Sequence, residues 1–161
     1  MDIILLDLGD DIKGESLHDG YIGGIELLSF SHGVAQQITG DQSNTKRTSG
    51  KPNHQDFTCT KYMDLASTSL VAYCNQAKPI AKATLRLGQN EDGKVVWYMV
   101  YELTNVLLSS VTIGGGGAGK PIETITLNYT AITWAYKLQK SDVSDAGNAS
   151  AKWNLATNTA E

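Results

Sequence analysis

Proline is scarce in this chain, at 3 of 161 residues, cysteine stops at 2 and histidine at 3, and basic residues number 13 against 17 acidic ones. Two cysteines, Cys59 and Cys74, cannot build the disulfide framework that staples small secreted domains, so they read as free, buried, inert thiols. His18, His32 and His54 are widely spaced. Neither they nor the cysteines show a Cys-x-x-Cys or His-Glu-x-x-His spacing, which leaves a zinc site without sequence support. A net charge of -4 argues against nucleic-acid binding, because phosphate affinity draws on clustered Lys and Arg in surplus. No apolar run approaches bilayer length, and Met1-Asp2-Ile3 lacks the basic start of a signal peptide. The expectation is a chain made in the cytoplasm, with no membrane insertion; export, if it occurs, would use no cleavable signal.

Catalytic signatures are equally thin. No serine sits in a Gly-x-Ser-x-Gly elbow. Gly114 to Lys120 matches the start of a P-loop, but Pro121 stands where a Ser or Thr hydroxyl must hold magnesium, and a strand is expected to follow instead of a helix. Asp7, Asp10, Asp11 and Glu15 lack EF-hand spacing and read as polar turn residues. The reading is therefore of a non-enzyme that needs no cofactor and no metal.

What is present is a single-core composition with 41% apolar residues, enough for one domain over 1-161. Segments rich in Val, Ile, Thr, Tyr and Trp predict strands over Ile3 to Leu8, Tyr21 to Ile38, His54 to Thr60, Ala81 to Leu87, Val95 to Leu103, Val106 to Ile113 and Ile122 to Leu138. The turn residues Asn90-Glu91-Asp92-Gly93 predict a hairpin, and the glycine run after Ile113 a flexible loop. One helix is expected after Met63, capped by Asp64 or Ser67, with Ala66, Leu70, Tyr73 and Cys74 on its inner face. In the last strand the large residues fall at Ile125, Leu127 and Tyr129 and then at Ile132, Trp134, Tyr136 and Leu138. That parity switch near Thr130 predicts a bulge or bend, as where a strand passes between sheets. The fold class is all-β: a two-sheet, partly closed β-barrel with one short α-helix on its side.

Three further segments bear on function. Leu28, Phe30 and Val34 are expected on the core face of the second strand, leaving Ser29, Ser31 and Gly33 as a small, featureless face, either merely solvated or the wall of a wide channel. Residues 39-53 form a long polar loop holding the only basic cluster, Lys46, Arg47 and Lys51, which reads as a solvated loop or as a contact with an acidic face of a neighbouring subunit. Residues 141-161 are a polar C-terminal segment, a linker over Ser141 to Ser150 whose end redocks through Trp153 and Leu155. Of Trp97, Trp134 and Trp153, the first two lie on strand candidates and fill the core most economically, although a monomeric β-sandwich carbohydrate-binding module would display an exposed tryptophan.

The order of landmarks resembles a known family. Ile3-Ile4-Leu5-Leu6 leading to Gly14-Glu15-Ser16, then Ile25 to Val34, the passage from Asp56 to Asn75, Glu102 to Val111 before a glycine-rich turn, Glu123 to Tyr129, and Lys152-Trp153-Asn154 are similar to the Hcp (hemolysin-coregulated protein) family of type VI secretion tube proteins. The chain departs at Ser67-Thr68-Ser69-Leu70, which lacks the proline often found at that helix start. The resemblance implies a homohexameric ring, stacked into a tube that is secreted from the bacterial cytoplasm by the type VI system. It implies as partners the spike protein at the tube tip, the contractile sheath and effector proteins carried in the lumen. It also places Ser29 and Ser31 towards that lumen, and the loop bearing Lys46, Arg47 and Lys51 across the neighbouring subunit.

Overall fold

The computed structural model describes residues 2-38, 50-139 and 145-161. Its chain order is β1 (Asp2–Asp7), β2 (Ile25–Glu26), β3 (Ser29–Ser31), β4 (Val34–Ala35), β5 (Asn53–His54), β6 (Phe57–Tyr62), α1 (Ser67–Gln76), β7 (Ile80–Glu91), β8 (Lys94–Gly114), β9 (Ile122–Asn128), β10 (Ala131–Gln139) and β11 (Asp145–Asn154). The expected class holds: nearly everything is strand, with one short helix, and the sheets close only in part.

β8 organises the fold. Asp92 and Gly93 both take positive φ, 48° and 78°, the turn geometry whose twist suits a tight hairpin, and they fold β8 back on β7. Met99 to Thr104 also pair with β10, whereas Leu107 to Gly114 pair with β9. Between these stretches Asn105 adopts φ 51°, and the register shifts between Leu108 and Ser110. Such an irregularity bends a strand and swings it from one sheet to the next. Val95 to Leu103 and Val106 to Ile113 are thus one strand and not two, because asparagine tolerates the left-handed conformation that a break would otherwise supply. The resulting path runs β2-β1-β7-β8-β9-β6-β3, with the β10-β11 hairpin attached to β8 and a separate ribbon formed by β4 and β5.

The parity switch near Thr130 is present as read. Ile125, Leu127 and Tyr129 are buried, β9 ends at Asn128, and Ile132 is buried on the even parity of β10. Other expectations need correction. Tyr21 to Ile38 is three short strands, and Leu28 and Val34 are exposed while Ile25 and Leu27 are buried; of the three residues expected on the core face only Phe30 packs there. The cause is a change of partner, β2 adding to β1 and β3 to β6, which breaks the alternation at Leu27 and Leu28. The helix cap lies at Ala66, with no side-chain cap bond; Asp64 instead turns the chain before the helix by accepting the Ala66 N-H at 2.9 Å. Its inner face is as expected, Ala66 and Leu70 fully buried and Tyr73 and Cys74 packed on the core. The polar stretch after Ser141 is no linker from Asp145 onward. It pairs with β10 as β11, since a ladder needs only backbone, and Trp153 and Leu155 then reach the core. Asn53, expected in the loop, belongs to β5.

The core joins Leu6, Ile25, Phe57, Cys59, Leu70, Leu85, Leu103 and Ile125. Burying each such side chain stabilises the fold by about 1.5–3 kcal/mol. At Gly14 a Cβ would lie 2.5 Å from the Gly24 carbonyl oxygen, so only glycine lets this turn donate its N-H to the Gly23 carbonyl at 2.8 Å. Neither cysteine forms a disulfide; Cys59 is buried, which pushes its thiol up to about 12, whereas Cys74 is only half-buried.

Candidate functional site

Register alignment carries the two serines singled out above into a much larger surface. Ser29 pairs with Thr60, Thr60 with Thr124 and Thr124 with Thr112; Ser31 pairs with Thr58, Thr58 with Thr126 and Thr126 with Ser110. Four strands therefore present two rows of hydroxyls on one face, because residues of like parity share a side of a sheet. The intervening residues Phe30, Cys59, Ile125 and Val111 face the core. Ser29 Oγ and Thr60 Oγ1 are 2.5 Å apart, and Ser110 Oγ and Thr126 Oγ1 are 2.6 Å apart, so neighbouring hydroxyls bond to one another across strands. Every member is exposed or half-buried, and none is ionisable. At the margin Asp56 accepts hydrogen bonds from Ser109 Oγ at 2.7 Å and Asn128 Nδ2 at 2.9 Å.

The charges that β6 and β9 carry are turned inward. Lys61 and Glu123 pair across β6 and β9 on the core parity, and both are fully buried. Lys61 Nζ donates to Glu123 Oε2 at 2.5 Å and to Asp64 Oδ1 at 2.8 Å. Ser67 Oγ donates to Glu123 Oε2 at 2.8 Å and accepts the Asp64 N-H at 2.9 Å. This network ties the first turn of α1 to the hydroxyl sheet. It was missed from sequence although parity points to it: Phe57, Cys59 and Lys61 alternate with Thr58 and Thr60, and Glu123 continues the series of Ile125 and Leu127.

Scattered residues also converge where sequence spacing suggested nothing. His32 precedes β4 and His54 lies in β5, and the Nδ1 of each meets the Tyr129 hydroxyl, at 3.3 and 3.4 Å. The His32 ring stacks on Phe57, with centroids 4.8 Å apart. Burial lowers the pKa of both imidazoles from 6.5; a hydrogen bond with the Gln55 backbone pulls His32 back upward, and His54 lowers it further. Among the described residues no group of three or more His, Cys, Asp or Glu side chains is placed to hold a metal, and no helix is long and apolar enough to cross a membrane. All three tryptophans are half-buried, Trp134 and Trp153 against the core and Trp97 edge-on to Tyr21.

Ser29 and Ser31 are thus exposed at one border of the hydroxyl face. Lys51 is exposed, while Lys46 and Arg47 lie outside the described residues. Among the described residues β11, ten residues long, pairs as a strand with β10 alone, and its other edge is open apart from one bridge, Asn154 to Thr159. An uncharged polar sheet face, a partly closed barrel and an open strand edge define a β-barrel scaffold built for surface contact.

The comparisons give that scaffold its family. Residues 6–136 match the family described as type VI secretion system effector, Hcp. The chain is 35% identical over 152 residues to Protein hcp1 of Pseudomonas aeruginosa, covering 92% of each. Among solved structures it is similar to one described as a type six secretion system protein, at a TM-score of 0.91 and 28% identity with full coverage of both chains. It is also similar to Hcp1 from Salmonella typhimurium, at 0.82 and 25% with 99% of each covered. The chain belongs to the Hcp family of type VI secretion system proteins.

Proposed function

We propose that this chain is the tube subunit of a type VI secretion system, assembling into homohexameric rings that stack and carry effector proteins in the lumen. The observation that carries this reading is the hydroxyl face spanning β3, β6, β9 and β8, which has no fixed charge to trap or repel a passing protein. Such a wall holds cargo by weak, replaceable hydrogen bonds, each contributing about 0.5–1.5 kcal/mol. The open edge of β11 supports the assembly half of the reading, since unpaired strand edges are satisfied by continuing the sheet into a neighbour. A head-to-tail contact whose rotation closes generates a ring. Exposed Leu17, Ile22, Leu65 and Ile113 offer apolar area for contacts between subunits and between rings. In this reading Ser29 and Ser31 face the lumen, and Lys46, Arg47 and Lys51 meet an acidic face of the adjacent subunit. A spike protein caps the tube, a contractile sheath drives it, and the protein leaves the bacterial cytoplasm with it.

Light scattering on the purified protein is expected to give about six times its mass of 17.3 kDa, with annular particles in negative stain. A monomer at all concentrations tested would overturn the assembly. For the lumen face, Ser31→Tyr is expected to leave the ring intact and weaken cargo retention about tenfold, equivalent to about 1.4 kcal/mol. Retention equal to wild type in a pull-down of co-expressed effector would count against the placement of Ser31.

A further inference from the structure

We propose that His32, His54 and Tyr129 form an acid-sensitive latch that holds the β4-β5 ribbon against the barrel at neutral pH and releases it in mildly acidic solution. The ribbon offers one imidazole from each leg. His32 lies just before β4, and His54 sits in β5 opposite Val34. Both rings fold back onto the barrel, where His32 stacks on Phe57 and each ring centroid lies 6.2 Å from that of Trp134 on β10. The ribbon root is closed by the Gln55 N-H donating to the Gly33 carbonyl at 2.9 Å.

The hydrogen bonding assigns the protons. The Tyr129 hydroxyl donates its single proton to the Gln55 carbonyl at 3.2 Å, so its oxygen is left as the acceptor for Nδ1-H of both histidines. In its neutral form each imidazole therefore carries its proton on Nδ1 and leaves Nε2 bare. His32 Nε2 is buried and has no partner. Protonation must add a hydrogen at that atom, creating a buried donor with nothing to accept it, a state that costs more than the neutral ring does. It would also set two positive rings with centroids 6.3 Å apart in an aromatic nest.

Among the described residues no charged group compensates, and the Gln55 backbone offsets the burial of His32 only in part. From the segment leading into β6 the charged neighbour is Asp56, whose carboxylate accepts hydrogen bonds from Ser109 and Asn128. From the corner between β9 and β10 comes Tyr129, whose phenol is held protonated by burial and, secondarily, by Asp56. β6 itself contributes Phe57, β10 Trp134 and the ribbon the Gln55 carbonyl, all uncharged. Both histidines are lowered from 6.5, so the closed ribbon binds fewer protons than the released one below that value. Closure is therefore fully stable above about pH 6.5 and weakens as pH falls below it. If the ribbon also joins subunits, release would loosen the ring; that consequence alone rests on the assembly reading.

The test is hydrogen-deuterium exchange of the wild-type protein at about pH 7.5 and about pH 5, each corrected for the intrinsic exchange rate. Peptides covering residues 50-56 are expected to exchange at least about tenfold faster at the lower pH, while those of the β7-β8 hairpin stay protected. The double variant His32→Gln, His54→Gln is expected to lose that pH dependence. In wild type the dependence should approach the steepness of two protons, a readout that survives even if the variant misfolds. Equal protection at both pH values, acceleration across the whole barrel, or an undiminished response in the double variant would each overturn the latch. Local release in a particle of unchanged mass would uphold the latch and fault only the ribbon's role in assembly.

Discussion

Lys61→Met is expected to destabilise the protein by about 3–5 kcal/mol, read as a lowered urea midpoint with little change in slope. The ammonium it removes is fully buried and pairs with two carboxylates, Glu123 at 2.5 Å and Asp64 at 2.8 Å. Glu123 is itself fully buried, and without Lys61 it keeps only the Ser67 hydroxyl as a donor. Its Oε1 already has no partner in wild type, so the pair is imperfectly satisfied before any mutation. The burden in the single variant is thus an uncompensated charge, not the loss of an attractive contact. Removing both charges should undo most of it: Lys61→Met with Glu123→Leu is expected to fall within about 1.5 kcal/mol of wild type, as apolar replacements of buried pairs commonly do. A double variant as unstable as the single one would show that the pair is required for packing and not merely tolerated.

The second large effect is expected at Phe57→Ala, about 3–5 kcal/mol of lost stability. Phe57 is fully buried, lies nearly parallel to both Phe30 and His32, and meets Tyr101 edge-on, at 5.8, 4.8 and 5.3 Å between ring centroids. Three elements lean on one ring, so the vacated space cannot collapse from a single side. Water reaching that space would also relieve the burial that lowers the His32 pKa. The His32 titration, followed by NMR, is therefore expected to move up towards 6.5 as stability falls. A destabilised variant in which His32 titrates as before would separate the packing role of Phe57 from its role at the imidazole.

Alternation and turn chemistry made much of this architecture readable. Asn90 to Gly93 marked the hairpin, although Asn90 and Glu91 belong to β7 and only Asp92-Gly93 make the turn; the odd-to-even switch around Thr130 marked the corner between β9 and β10, and Leu70 with Tyr73 and Cys74 marked the inner face of α1. These signals are local, each set by neighbours within a few residues. The failures came where partners are distant. Nothing adjacent to Leu27 and Leu28 says that the strand ahead of them joins β1 and the strand behind them joins β6. Asp145 to Ser150 lacks the apolar alternation of a strand because its ladder is backbone against β10. The candidate site follows the same rule. Ser29 and Ser31 were visible as a small polar pair, but the other six hydroxyls became one surface only through cross-strand register, and His32 and His54 met only because the ribbon folds back.

The passage of β8 from one sheet into the other has a mechanical consequence. Two sheets joined only by packed side chains can slide when pushed, because dispersion contacts are individually weak and easily exchanged. Here Met99 to Thr104 and Leu107 to Gly114 are one continuous backbone serving both sheets. A thrust delivered to the hydroxyl-bearing strands is therefore expected to pass along one covalent backbone into the strands that pair with the other half of β8, β7 and β10.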